Sequence, residues 1–248
     1  WAFIRIATNP RVFEQPLTVI EARSIVSSWL AQPSAGVVDP GDDLLAAVLA
    51  IDAASTESAH RGLTIAMHLV CVTSVSGESR LALVGGRHVG AVTLSTEEVP
   101  TLEHHTLTGR ASWVLPLTST GLALVGARRG DDDTLAACCV SLADPGVRLR
   151  PISTAGLTGL TIGHVELTGA PCEVVGAPTP IMARARLLLA AVGVGMARRA
   201  VREALSTARG TSRGAGGEQT VQGLIADAAT ELDAAMLLTW EAATEPLS

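Results

Sequence analysis

The sequence predicts an α+β protein. A helical segment leads into a small antiparallel β-barrel or sandwich, and then into the long antiparallel helices of an incomplete four-helix bundle. Three observations predict this order. Apolar residues recur at helical spacing in two long stretches near the C-terminus, first Leu187, Leu188, Ala191, Val194, Val201 and Leu205, then Val221, Leu224, Ile225, Ala228, Leu232 and Met236. Before them, short apolar runs alternate with turn signals, the pattern of strands. Hydrophobic residues make up 48% of the 248 and charged residues 17%, enough to fill a core and too few charges for a disordered chain.

The composition also excludes some functions. A net charge of −6, with arginines scattered apart from a cluster between Arg198 and Arg213, argues against a nucleic-acid groove. Cys71, Cys138, Cys139 and Cys172 show neither CxxC spacing nor paired histidine ligands, so no metal site is expected and a reduced, cytoplasmic setting is the default. No run of 18 consecutive apolar residues occurs, so no membrane span is expected. The chain opens on Trp1 without a signal-peptide pattern, which suggests a start internal to a longer product. Aromatic residues are 2% and tyrosine is absent, so the core must be built from Ala, Val and Leu, which suits close helix packing.

Four segments follow along the chain. In residues 1–42, Asn9-Pro10 breaks one helix, and Thr18 with Glu21 three residues on forms a capping box for the next. Asp39, Asp42 and Asp43 cluster at a Pro-Gly turn and read as solvated loop residues. Residues 43–90 are helical, with Leu44, Leu45, Val48, Leu49 and Ile51 as one apolar stripe, a second helix from about His60 to Val70 and a short third one over Ser79–Val84. His60 and His68 share a helix face but have no carboxylate at metal spacing, and a structural role is the preferred reading. Residues 91–178 hold strands at 91–94, 113–115, 122–125, 135–140, 147–150, 162–167 and 172–175, with Asp131–Asp133 as a hairpin tip. Residues 179–248 return to helices, with small residues Gly193, Gly195 and Ala197 on an apolar face that needs further helices to cover it. A partner chain, or residues outside this sequence, would have to complete the bundle.

Two resemblances sit on these segments. Trp1 to Thr18, with Glu21-Ala22 and Ser28 to Pro33, resembles the middle of PIN-domain ribonuclease toxins, in which "TNPR" follows a helix and "PLT…EA" opens the next. That family cuts RNA with a metal held by acidic residues, and the first catalytic Asp and the later strand–Asp segments are missing here, so no working nuclease is expected.

From about residue 43 to 246 the chain resembles the acyl-CoA dehydrogenase superfamily. Gly109 to Val114 is similar to its "GxKxWI" strand, Asp144-Pro145-Gly146-Val147 to its "xxPGV" turn, and Ile162 to Val175 to the strand leaving its β domain. Ala185 to Ala208 resembles the helix before its "RxxFG" motif, and Gln219 to Ala228 its "fQxvqxxlAdma" helix. The resemblance implies an FAD lying against the β domain, reaching the helices of a neighbouring subunit, and α,β-dehydrogenation of an acyl-CoA or carrier-bound acyl thioester in a homo- or hetero-oligomer. Trp113 matches the tryptophan packed near the flavin. Arg209 approximates the motif arginine, one place out of register, and Gln219 matches the glutamine that meets the adenosine half.

Other family positions differ. No "GSD" follows Thr96-Glu97, Leu115 and Pro116 stand where Thr and Asn are expected, Thr211-Ser212 replace "FG", and the usual catalytic base falls beyond Ser248, so the catalytic residues are unassigned. A flavoprotein or flavoprotein subunit is the leading reading. Arg198, Arg199, Arg209 and Arg213 are candidates to meet a dinucleotide or CoA phosphate, with a solvated helix face preferred for the first two. A degenerate, non-catalytic partner subunit that binds no FAD is the alternative. A third reading is flavin-independent chemistry by Glu103, His104 and His105, in which only one histidine of an extended pair would face a cleft.

Overall fold

The computed structural model describes residues 44–93, 95, 98–130, 134–210 and 219–244, together with Thr18, Ile20 and Glu21. The chain divides into two compact units, Trp1–Asp42 and Asp43–Ser248. In the first unit the Thr18–Glu21 capping box forms: the Thr18 N–H donates to Glu21 Oε2 at 2.7 Å, and the Glu21 N–H donates to Thr18 Oγ1 at 3.2 Å. The rest of the toxin-like stretch, the Asp39–Asp43 cluster, Asp131–Asp133, Thr211–Ser212 and Arg213 lie outside the described residues.

The second unit opens with three helices, α1 (Leu44–Glu57), α2 (Ala59–Ser74) and α3 (Gly77–Val84). Seven strands follow: β1 (Val89–Thr93), β2 (Thr101–Glu103), β3 (Thr106–Leu115), β4 (Gly121–Arg129), β5 (Leu135–Ser141), β6 (Val147–Ile152) and β7 (Ile162–Gly176). Two long helices, α4 (Pro178–Gly210) and α5 (Gln219–Thr244), end it. The α+β class and the paired C-terminal helices agree with the sequence reading.

The sheet corrects that reading in three ways. It is one rolled, seven-stranded sheet in the order β1-β3-β2-β4-β5-β7-β6, rather than a regular antiparallel barrel or a sandwich. Extra β1–β4 and β3–β7 ladders roll it, and β1–β4 and β2–β4 are parallel. The hairpin β2–β3 starts well before Trp113; Thr101, Glu103, Thr106, Thr108 and Arg110 carry so many polar side chains that its alternation is hidden. Finally, the two strands expected at 162–167 and 172–175 are one strand. Gly169, at φ +62°, bends β7 where it leaves β6 and begins to pair with β5, so a turn signal marks a corner within one strand.

Two apolar clusters result. One fills the interior of the rolled sheet, from Leu107, Ala111, Val114, Val125, Cys138 and Val165. The other joins the outer faces of β1, β4 and β5 to the helices, through Ile51, Met67, Val70, Leu124, Leu188 and Ala191 among others. His68 on α2 ties the two halves together. Its Nδ1 accepts the Gly90 N–H of β1 at 3.0 Å, and its other nitrogen donates to the Leu83 carbonyl at the end of α3. The expectation of a structural role for His68 is met.

Among the helices, α1, α2 and α4 cross at very short range. A Cβ added to Gly195 of α4 would lie 2.4 Å from the Asp52 carbonyl oxygen, and one added to Gly62 of α2 would lie 1.8 Å from Ser55 Oγ. At this crossing Asp52, 3% exposed, pairs with Arg198 Nη2 at 2.8 Å. Burial raises the Asp52 pKa above the ordinary carboxylate value, and Arg198 opposes that rise. Arg198 also donates to Met236 Sδ of α5 at 3.0 Å. Arg199 donates to the Glu57 carbonyl at 2.7 Å and pairs with Glu203, so both arginines serve the helix packing.

By length and composition alone, Pro178–Arg209 is long and apolar enough to cross a membrane; 39% of its most apolar window is buried within the fold. Ala185, Leu187, Leu188, Ala191 and Val192 account for this as a core-facing stripe.

Two predictions follow from the packing. Arg198→Met strands the Asp52 charge and lowers stability by about 3 kcal/mol, whereas Asp52→Asn costs about 1 kcal/mol; equal losses in urea melts would contradict the pairing. Burial holds the His68 pKa below its ordinary value of about 6.5, so the unfolded chain takes up this proton more readily than the folded one. Stability present above about pH 6.5 is therefore lost as the pH falls below it. His68→Asn keeps an acceptor for Gly90 and removes the titration, so its melting temperature falls less between pH 7 and pH 5, measured by circular dichroism.

Candidate functional site

Trp113 ends up in an unusual place because of a β-bulge. The β3–β7 register shifts between Ala111 and Val114, and Trp113 sits in the shift with a φ of +57°, a left-handed conformation that bulky residues rarely adopt. The bulge turns the indole outward, half exposed, with its ring edge-on to His164 at 6.0 Å between centroids.

Beside Trp113, the segment after β1 is tied to β3 through side chains. Thr93 Oγ1 donates to the Ser112 carbonyl at 2.5 Å, Ser112 Oγ donates to the Glu98 carboxylate, and Glu98 pairs with Arg110 Nε at 3.3 Å. A carboxylate acceptor thus occupies the segment in which the family resemblance asks for hydroxyl and N–H donors. On the other side of Trp113, Leu115 is 4% exposed and belongs to the core, and Pro116 is buried and has no N–H to give.

A cavity of about 250 Å³ lies between this part of the sheet and the first turns of α4. Thr93, Ser95, Leu124 and Gly126 line its sheet side, and Met182 and Arg186 its helix side. Its lining is mainly apolar, with Arg128 and Arg186 as the cations. The geometry suits an extended apolar group whose other end carries negative charge.

Arg209 and Gln219 stand elsewhere. Arg209 is exposed in the last turn of α4, and Gln219 is exposed at the start of α5. At 1.5 Å per residue, Arg209 lies roughly 35 Å along the helix from Arg186. The cavity and Arg209 thus stand at opposite ends of α4, and Trp113, turned toward His164, is not among the residues that line the cavity. Along the helical pair, Met196, Leu224, Leu237 and Leu238 are exposed by 44%, 65%, 59% and 65%, and α5 buries only Thr239 and Ala243.

Glu103, His104 and His105 lie at the tip of the β2–β3 hairpin. Here the extended-chain expectation is corrected: both histidines occupy the two-residue turn, at φ +45° and +64°, and both line one cavity of about 440 Å³ with Arg129 and Val174. Neither His104 nor Glu103 shares the smaller cavity with Trp113's neighbours. Sequence reasoning also missed Arg186 and Gly126, which carry no motif of their own and gain meaning only when α4 is laid on β4. No group of three or more His, Cys, Asp or Glu that would hold a metal occurs among the described residues.

Comparison with known proteins agrees with the fold. Residues 178–247 match the family model described as the acyl-CoA dehydrogenase C-terminal domain. No curated protein matches the chain in sequence. Among solved structures, the chain is similar to glutaryl-coenzyme A dehydrogenase in its glutaryl-CoA complex, with a TM-score of 0.72 and 18% identity over 88% of this chain and 63% of that one. Butyryl-CoA dehydrogenase from Megasphaera elsdenii gives 0.71 and 17% identity over 88% and 67%. The ChsE4–ChsE5 complex from Mycobacterium tuberculosis gives 0.66 and 22% identity, over 98% of this chain and 74% of that one. The chain thus spans less than two thirds of the length of glutaryl-coenzyme A dehydrogenase. Residues 178–247 thus match the acyl-CoA dehydrogenase C-terminal domain in sequence, and the fold of the chain is similar to that of these dehydrogenases.

Proposed function

We propose that the chain is an acyl-CoA dehydrogenase-like flavoprotein subunit, acting on an acyl-CoA or carrier-bound acyl thioester within a homo- or hetero-oligomer. The observation that carries this reading is the separation along α4: the cavity at its start, Arg209 and Gln219 at its far end, and an exposed apolar stripe between them. A second chain packed on that stripe would bring Arg209 and Gln219 to a dinucleotide lying against the other chain's sheet. FAD, when bound, supplies the hydride acceptor for α,β-dehydrogenation.

The residues fit the two halves of FAD unequally. Exposed Arg209 and Gln219 suit its adenosine and phosphate half. Among the described residues at the family's ring-binding positions, the ring half finds Trp113, but Leu115 is in the core, Pro116 has no N–H, and Glu98 is an acceptor already engaged by Ser112 and Arg110. Each missing donor weakens binding by roughly 1–3 kcal/mol where a buried partner group is left unsatisfied. The chain therefore lends its helices to a flavin more readily than it holds one on its own sheet. This same observation favours the second reading, a non-catalytic partner that binds no FAD itself. Four free cysteines suit a reduced, cytoplasmic setting.

The acyl end is placed in the 250 Å³ cavity, with Arg186 toward the negatively charged carrier. A Cβ added to Gly126 would meet nothing within 4 Å, so Gly126→Leu fills the cavity at little cost in stability. Calorimetric titration with butyryl-CoA is expected to show binding that this variant weakens at least tenfold. Visible absorption after adding FAD reports the cofactor separately. Flavin bands in stoichiometric amount support a redox subunit, a colourless protein that still binds acyl-CoA supports the non-catalytic partner, and loss of both refutes the proposal.

A further inference from the structure

The cavity of about 440 Å³ under the β2–β3 turn has no part in the proposed acyl site. Three strands build it. β2 and β4 run parallel with Leu102 paired to Arg129, and the Gly130 N–H donates to the Leu102 carbonyl at 3.2 Å. The Cys172 N–H of β7 donates to the His105 carbonyl at 2.9 Å, so the turn is held from two sides. Strand alternation then divides two consecutive arginines of β4. Arg128 lines the smaller cavity and Arg129 this one.

The turn is poorly chosen for folding alone. A two-residue hairpin turn with φ positive at both positions favours Asn-Gly, yet His104 and His105 occupy it at +45° and +64°. The strained backbone falls at the two positions whose imidazoles line the cavity. The charges are unresolved as well. Glu103 follows the cross-strand partner of Arg129 and lines the same cavity, but the two form no ion pair with each other. Among the described residues, neither imidazole, nor the Glu103 carboxylate, nor the Arg129 guanidinium has a hydrogen-bond or ion-pair partner. The Glu103 side chain leans over Gly130, where an added Cβ would lie 3.4 Å from its Oε1. The rim thus holds a carboxylate and a guanidinium apart, with Leu102 and Val174 as apolar lining. A lone anion or cation would satisfy one of these charges and be repelled by the other. A small molecule carrying both charges satisfies both.

We propose that this cavity binds a free α-amino acid with an aliphatic side chain. Its carboxylate meets the planar fork of Arg129, which matches a carboxylate with two parallel hydrogen bonds. Its ammonium meets Glu103, and its side chain lies on Leu102 and Val174. His104 and His105 supply further ring nitrogens to the two polar groups. The volume falls in the range of small-molecule pockets, roughly 300–1,000 Å³. No bond is made or broken, and the site is independent of FAD and of the acyl cavity.

The experiment is calorimetric titration of the full chain with L-leucine and with two analogues that carry one charge each, 4-methylpentanoate and 3-methylbutylamine. Leucine is expected to bind one to one, and each analogue roughly tenfold more weakly or worse. Glu103→Gln should weaken leucine by a similar factor and leave 4-methylpentanoate unchanged. Arg129→Gln should weaken leucine and leave 3-methylbutylamine unchanged. The double variant His104→Asn, His105→Gly gives the turn its preferred residues; it should raise the melting temperature and weaken leucine binding. No leucine binding to the parent overturns the proposal, and so does equal affinity for leucine and either analogue. Unchanged leucine affinity in any of the three variants also overturns it. Circular dichroism identifies a variant that fails to fold, and the analogue comparison on the parent then decides.

Discussion

The close crossing of α1, α2 and α4 is the contact on which the rest of the second unit depends. Ser55 sits where only glycine at positions 62 and 195 lets the neighbouring helices approach, and Asp52 pairs with Arg198 at the same point. Small residues permit the approach, and the buried ion pair fixes its rotation and register. With α4 held there, its first turns lie on β4 and β5 and close the smaller cavity, while its far end carries Arg209 beyond the sheet. Both halves of the functional argument are thus consequences of where one helix is pinned.

A second constraint runs from helix to sheet through His68. Its two nitrogens join α2 to β1 and to the end of α3, in a protein whose aromatic content is too low to build that junction from rings. The segment after β1 is held by its own polar groups. Glu98 bridges Ser112 and Arg110, which steadies the segment beside Trp113 but spends the polar groups on one another. Among the described residues there, a ligand meets the Trp113 ring beside the apolar Leu115 and Pro116.

Much of this was legible in the sequence, where a single physical signal governs the outcome. The stripes of α1, α4 and α5 follow from helical spacing, and the Thr18–Glu21 box from its four-residue pattern. The strands were harder. Gly169 carries the chemistry of a turn yet bends one strand from β6 to β5, which local sequence cannot distinguish from a loop. The polar face of β2–β3 hid its alternation, and the outward turn of Trp113 depends on a bulge set by β7. Motif matching pointed to Trp113, Arg209 and Gln219, but the separation of Arg209 and Gln219 from the cavity at the start of α4 is a property of the fold. Arg186 likewise gains its place from tertiary contacts alone.

The account makes the helical pair an unfinished surface, with Leu224, Leu237 and Leu238 exposed on α5 and Met196 on α4. The most direct test is the mass of the purified chain in solution, by multi-angle light scattering across a dilution series. A mass of two or four chains that persists on dilution is predicted. A monomer at every concentration would contradict completion of the site by a second copy, and would leave Arg209 and Gln219 without a partner chain of the same kind.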